Sequence, residues 1–426
     1  MGHHTFTDHS PGAAGATPRS GDDRTMRQFS RPLSRPRALL SGLAALSFAA
    51  ACVGTAVAVG PGASPAPAAA APAPAAAPAR VAAGTVTKTP TVGHVFVINL
   101  ENKGYATTFG PASPATYLSK TLVKQGNLLT QYYGTAHNSL PNYIAQLSGQ
   151  GPDSATQGDC QTYADFVGTA TVSPGQVVGN GCVYPSSVKT LPDQLTSTGR
   201  TWKGYMEDMG NSATEPSTCR HPALNAVDDT QRAKVGDQYA ARHNPFVYFH
   251  SIIDSPACAQ NDVPLTQLPA DLATTGSTAN LTYITPNLCH DGHDTPCVDG
   301  QPGGLVSADK FLSTWVPKIQ ASPAYGKDGL LIVTFDESDS PQTDASACCG
   351  ETAGPNSPLP GITGPGGGRV GAVVLGRSVK PGTTTATPYN HYALLASIED
   401  VFGLPYLGYA ATVPNRFGRD VYTASR

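Results

Sequence analysis

The run Leu330-Leu331-Ile332-Val333-Thr334-Phe335 is almost wholly apolar and stops at two adjacent acids, Asp336-Glu337. A short apolar run with no polar alternation reads as a strand buried on both faces, which belongs inside a parallel sheet covered by helices. His94 to Leu100 reads the same way and is followed by Glu101-Asn102. Further strands are expected at Asn127–Tyr132, Phe246–Phe249, Leu281–Ile284 and Val370–Leu375. Helical patterns fall at Ala115–Gln125, Ala308–Gln320 and Tyr392–Phe402. This alternation predicts an α/β fold, an open and mostly parallel sheet with helices on both faces. Two long irregular stretches, Gly149–Lys189 and Cys348–Gly368, are rich in Gly, Pro, Ser and Thr. Loops of that length are usually functional or tied down.

The domain occupies residues 85–426. From Arg27 to Arg37 there are four arginines and no acid, and from Ala38 to Gly60 there is no charge. A basic segment before an apolar one is the layout of an export signal, and Ala56-Val57-Ala58 is a small-residue cleavage pattern. Residues 1–60 are therefore expected to direct export, with Met26 available as a start. Residues 61–84 are largely Ala and Pro, a composition that stays extended and serves as a linker. Seven of the 27 Lys/Arg and three of the 30 Asp/Glu lie in Met1–Gly84, which leaves the domain a net charge of −7. That disfavours a nucleic-acid partner, which needs a basic face, and disfavours docking on anionic membranes. After signal cleavage no stable membrane insertion is expected, and the location is extracellular or associated with the cell wall. Of nine cysteines, Cys52 lies in the signal and eight remain. An even number in an exported chain points to disulfides, and a Cys289–Cys297 bridge would pin the loop between them.

In open α/β sheets, ligands bind beyond the carboxyl ends of the strands. Four polar motifs stand at such exits. Glu101-Asn102 offers oxygen donors for a hard cation, although Asn after a strand is also an ordinary helix cap. In His137-Asn138-Ser139-Leu140-Pro141-Asn142-Tyr143 the proline marks the first turn of a helix, so Ser139 stands at its N-terminus. Free N–H groups there would stabilise an anion or an alkoxide. Asn287 to Asp294 packs His290, Asp291, His293 and Asp294 into one loop, a set able to bind metal, hold phosphate or pass a proton. Asp336-Glu337 places two like charges side by side, which a cation would neutralise. His391 opens the last helix, where its neutral form is favoured.

Taken together, Glu101-Asn102, His137-x-Ser139-x-Pro141-Asn142-Tyr143, Gly204-Tyr205-Met206-Glu207-Asp208 and Pro286-Asn287 through His293-Asp294 resemble the bacterial phosphoesterase family. Leu330 to Glu337 and His391-Tyr392 through Gly403-Leu404-Pro405 complete the likeness, which spans about His94 to Ala410. That family contains secreted acid phosphatases and phospholipase C-type enzymes of the alkaline phosphatase superfamily. The resemblance implies an alkaline phosphatase-like fold and a phosphomonoesterase working through a phosphoseryl intermediate. It implies Ser139, His137, Asp291 and His293 as catalytic residues, and Glu101, Asn102, Asp336, Glu337 and His391 as ligands of one or two divalent metal ions. Asn142, His290 and Asp294 would contact substrate, a small phosphorylated molecule or a phospholipid headgroup. His290 departs from the family's pattern. The alternatives are a phosphodiesterase or phospholipase C-type activity, and an exported binding protein without catalysis. A sulfatase is disfavoured, because Ser139 lacks the Cys/Ser-x-Pro-x-Arg context.

Overall fold

The computed structural model of the protein describes residues 91–423 with the exception of 352, so the expected export segment and linker lie outside the described residues. Its central sheet is built from His94–Leu100 (β1), Asn127–Leu129 (β2), Trp202–Met206 (β3), Asp262–Pro264 (β4), Leu281–Thr285 (β5), Gly329–Phe335 (β6), Ala372–Gly376 (β7) and Thr383–Thr385 (β8). The order across the sheet is β8-β2-β7-β6-β1-β5-β3-β4. Only β7 runs against its neighbours; the other pairings are parallel. Every residue of β1, β5 and β6 is buried. Successive side chains point to opposite faces, so burial of all of them means that both faces are covered. The mostly parallel α/β sheet expected from the apolar runs is thus present.

Register turns this sheet into a site. Leu100 of β1 pairs with Phe335 of β6, and Ile98 pairs with Ile284 of β5. The residues that come after β1 and β6, Glu101 and Asp336, therefore leave the sheet side by side. The three longest helices among the described residues are Ser139–Ser148 (α1), Gly304–Gln320 (α2) and His391–Phe402 (α3). All ten residues of α1 are buried. It packs on α3, while α2 covers the helical turn Tyr117–Leu122.

One expected strand is absent. Phe246–Phe249 lies largely in a 3₁₀ turn, Pro245–Tyr248, because Pro245 cannot donate to a ladder and Asn244 Oδ1 caps the turn by accepting from Phe246 N–H. Its aromatics are buried nonetheless, with Phe246 stacked on Trp202 at 5.1 Å. Strands β3, β4 and β8 were not foreseen. The first long loop contains a hairpin, Val167–Val172 with Gln176–Asn180, and the Cys160–Cys182 bridge. Cys219–Cys258, the expected Cys289–Cys297, and the adjacent pair Cys348–Cys349 use the remaining cysteines.

Two buried acids tie the stability of this fold to pH. Glu399 of α3 accepts from Leu407 N–H at 2.9 Å, and its other oxygen has no partner among the described residues. Burial pushes its carboxyl up to about 8. Burial likewise pushes Asp262 up to about 7. The fold therefore keeps protons that the unfolded chain releases near pH 4, and it loses stability as pH rises from about 4 to about 8. Glu399→Gln keeps the shape without the charge. It is expected to match the parent in thermal unfolding near pH 4 and to exceed it above pH 8, by on the order of a few kcal/mol. Identical pH profiles for the two proteins would contradict this.

Candidate active site

The exit of β1 is held by its neighbours' backbone. Glu101 N–H donates to Asp291 O at 2.8 Å, and Asp336 N–H donates to Leu100 O at 2.8 Å. Asn102, in the left-handed region with φ 56°, donates its N–H to Asp336 Oδ1 at 2.9 Å and its amide to Glu101 Oε2 at 2.6 Å. Three sequence-predicted residues are thereby locked together.

The segment before α1 crosses closely over Asp336. A Cβ on Gly134 would stand 2.6 Å from Asp336 O, nearer than nonbonded atoms approach. Gly134→Ala is therefore expected to lower the melting temperature and to cut kcat/KM more than tenfold, both read on the same preparation. Asn142 stitches the segment to α1. Its Oδ1 accepts from Thr135 and Ala136 N–H at 2.8 and 3.0 Å, and its amide donates to Ala136 O and Asn138 O. The side chain expected to touch substrate is thus fully engaged in bracing the loop.

That brace presents Ser139, whose hydroxyl donates to Glu101 Oε2 at 2.8 Å. One turn on, Tyr143 donates to the other oxygen of Glu101 at 2.5 Å. The end of α1 is not open to a ligand as the sequence suggested. Leu140 N–H donates to Asp159 Oδ1 at 3.0 Å.

Asp291 joins the same cluster, accepting from His293 N–H at 2.7 Å. Its second oxygen accepts from His243 Nδ1 at 3.1 Å, and His243 Nε2 lies 3.5 Å from Glu101 Oε1. With Nδ1 as donor, Nε2 turns a lone pair toward that oxygen. Burial, then Arg242 and His293, hold the His243 imidazole well below its usual pKa, so it is neutral. His243 was missed by sequence reasoning. It precedes the segment read as the strand Phe246–Phe249, and a residue before a parallel strand belongs to the wrong end of the sheet. The 3₁₀ turn brings it to the site, stacked on Tyr143 with centroids 5.5 Å apart.

The remaining histidines divide. His137 is held between Glu337 and Asp344 O, which fixes Glu337 in place. His293 is oriented by Asp294 at 2.8 Å and meets Arg242 Nη2 at 3.3 Å. Its side chain is 35% exposed, so it borders solvent. His290 pairs with Glu207 at 3.0 Å, outside the bonds that tie the cluster around Ser139. His391 corrects its expected role as a metal ligand. Its Nε2–H donates to Asp336 O and its Nδ1 accepts from Tyr132 OH, so neither nitrogen is left for a metal. Burial pulls its pKa down to about 4.

Glu101, Asp291, Asp336 and Glu337 are all buried, and all four carboxyls are pushed above their usual range. Burial is the first cause for each. For Glu101 the charges of Asp336 and Asp291 come next, and for Glu337 that of Asp336. Asp336 Oδ2 and His243 Nε2 are buried without partners among the described residues. Donor atoms of Glu101, His243 and Asp291 all lie within 4.8 Å of one another. Carboxylate oxygens with one neutral imidazole suit a divalent cation, so the residues present fit a metal. A cavity of about 530 Å³ lies elsewhere, lined by Thr135, Pro360, Glu351, Asn390, Tyr392 and Tyr409 among others, and holds none of these residues.

Buried acids at the strand ends thus face a serine at the N-terminus of α1. Residues 112–405 match the profile of the phosphoesterase family, and the chain belongs to that family. It is 28% identical over 307 residues to the phosphate-repressible acid phosphatase of Penicillium chrysogenum, covering 71% of this chain and 58% of that one. The phosphatidylinositol-3-phosphatase of Mycobacterium tuberculosis is 26% identical over 325 residues, covering 76% of this chain and 82% of its own. The match spans little more than half the length of the fungal relatives, 51% for the acid phosphatase of Aspergillus fumigatus. Among solved structures, a protein of the alkaline phosphatase superfamily from Vibrio parahaemolyticus aligns over 75% of this chain and 68% of its own, at 13% identity and a TM-score of 0.41.

Proposed function

We propose that this protein is an exported, metal-assisted phosphomonoesterase whose nucleophile is Ser139. One observation carries the reading: the Ser139 hydroxyl stands 2.8 Å from Glu101 inside a group of buried carboxylates that has no sufficient counter-charge. The relatives' names, acid phosphatase and phosphatidylinositol-3-phosphatase, support a phosphate monoester and make an inositol lipid headgroup a candidate substrate. Pairing of all eight domain cysteines supports an oxidising compartment. Among the described residues no helix is long and apolar enough to cross a membrane.

A divalent cation held by Glu101, Asp291, His243 and Asp336 would offset the carboxylate charge and favour the serine alkoxide. Ser139 gives up its proton along the hydrogen bond to Glu101, and Oγ attacks phosphorus. The P–O ester bond breaks as the Oγ–P bond forms. Arg242 offers N–H groups to the phosphoryl oxygens, which frees His293 Nε2 to take a proton from solvent and pass it to the leaving oxygen. Asp294 holds the His293 ring for that transfer. Water then attacks the phosphoseryl group and gives a proton to His293 Nε2, the Oγ–P bond breaks, and Ser139 takes back the proton held by Glu101. Glu337, His137 and His391 keep the Asp336 turn and its carboxylate in place. Asn142 holds the nucleophile's loop.

The test is release of phosphate from an aryl phosphate monoester by protein loaded with a divalent metal, with and without chelator. Release that is lost with chelator supports the reading. No release from folded, metal-loaded protein contradicts it, and release only from a diester replaces monoesterase by diesterase.

A further inference from the structure

Helix α1 should attract an anion at its N-terminus, yet little there is left to bind one. Pro141 has no N–H. Leu140 N–H is taken by Asp159 Oδ1 at 3.0 Å, and the same carboxylate faces the N–H of Ser139. Asp159 is firmly placed. It has φ 53°, its carbonyl accepts from Gln231 at 2.8 Å, and the next residue is bridged to Cys182. Its side chain is 18% exposed and bonds the residue next to the serine. The charged groups around it are Arg242, whose Nε is 3.9 Å from Oδ2, then His293 and Glu337.

We propose that Asp159 is a specificity-determining residue: it takes the anion-attracting end of α1 and makes the site favour a phosphoryl group with one negative charge over one with two. This rests on the phosphoesterase reading of the site. Asp159 adds a fifth carboxyl to the four of the cluster by Ser139, against the guanidinium of Arg242, the ammonium of Lys103 and whatever divalent cation is bound. The balance stays negative, and each further charge on the substrate is opposed. The favoured substrates are a monoester monoanion, present below the second phosphate ionisation near pH 6, and a diester, which carries one charge at any pH. A preference for acid then arises from the substrate's own proton.

The test compares an aryl phosphate monoester with a methyl aryl diester at about pH 5 and about pH 7.5, on either side of that ionisation. The proteins are the metal-loaded parent, Asp159→Asn, Asp159→Glu and Ser139→Ala. Asn accepts from Leu140 N–H and tolerates the left-handed backbone, so the substitution removes charge alone. At pH 7.5 Asp159→Asn is expected to raise the monoester-to-diester ratio of kcat/KM about tenfold, with little change at pH 5. Asp159→Glu is expected to restore the parent ratio. Calorimetric affinity for inorganic phosphate near neutral pH should rise in parallel, a readout independent of turnover. If Asp159→Asn does not fold, Asp159→Ser, which also accepts from Leu140, takes its place. An unchanged ratio, or equal loss on both esters, overturns the proposal while the parent remains active. Activity surviving in Ser139→Ala would instead overturn the underlying reading of the site.

Discussion

Ser139→Ala is expected to lower turnover by on the order of 10⁴-fold or more while the protein folds normally. The side chain is 2% exposed and fills little space beyond its hydroxyl. Removing it costs Glu101 one of three donors, since Tyr143 and Asn102 remain. A net loss of about 1 kcal/mol in stability is the scale for one such bond. Thermal melting and cation affinity should therefore stay close to the parent, while phosphate release disappears into background. Near-normal release would remove Ser139 as nucleophile and with it the phosphoseryl step.

His243→Gln is expected to weaken binding of a divalent cation by about 100-fold or more and to lower turnover with it. The effect should be partly reversed by excess metal, because Glu101, Asp291 and Asp336 are still there. His391→Gln makes the informative contrast. It removes a ring whose two nitrogens serve Tyr132 and Asp336 O. Its expected result is a lower melting temperature with a smaller loss of cation affinity than in His243→Gln. The two affinities are read by calorimetry on protein stripped with chelator and then dialysed. A larger loss of affinity in His391→Gln would return the metal to the ligand set that the sequence alone suggests.

The contrast shows where sequence reasoning reaches and where it stops. Apolar runs located β1, β5 and β6, the first and last of them ending in acids, and the register of a parallel sheet then set Glu101 and Asp336 side by side. Proline after Ser139 located the start of α1. These features are local, and each arises from burial or backbone geometry within a few residues. His243 was out of reach because its position depends on a 3₁₀ turn between distant elements, and its aromatic neighbours Phe246–Phe249 imitate a strand. Asp159 was hidden for the same reason. It lies in the long loop Gly149–Lys189, where no motif singles it out, and its proposed role arises from contact with Leu140, nineteen residues earlier in the chain. Asn142 and His391 were legible as special residues but not as braces. A polar side chain with all its hydrogen bonds satisfied internally has the same sequence signature as one that meets a ligand.

The charge of the cluster gives these results a common origin. Four acids are brought together by strand ends that have no freedom to separate them, and burial makes each ionisation costly. On the proposed reading, metal binding, serine activation and the bias against dianions would all follow from one electrostatic arrangement.

The most direct measurement is acid quenching of the metal-loaded protein during steady turnover of an aryl phosphate, followed by peptide mass spectrometry. The mechanism requires one phosphoryl group on the peptide that contains Ser139, absent from Ser139→Ala. Turnover with no phosphorylated peptide, or with phosphate on another acid-stable residue, would contradict it.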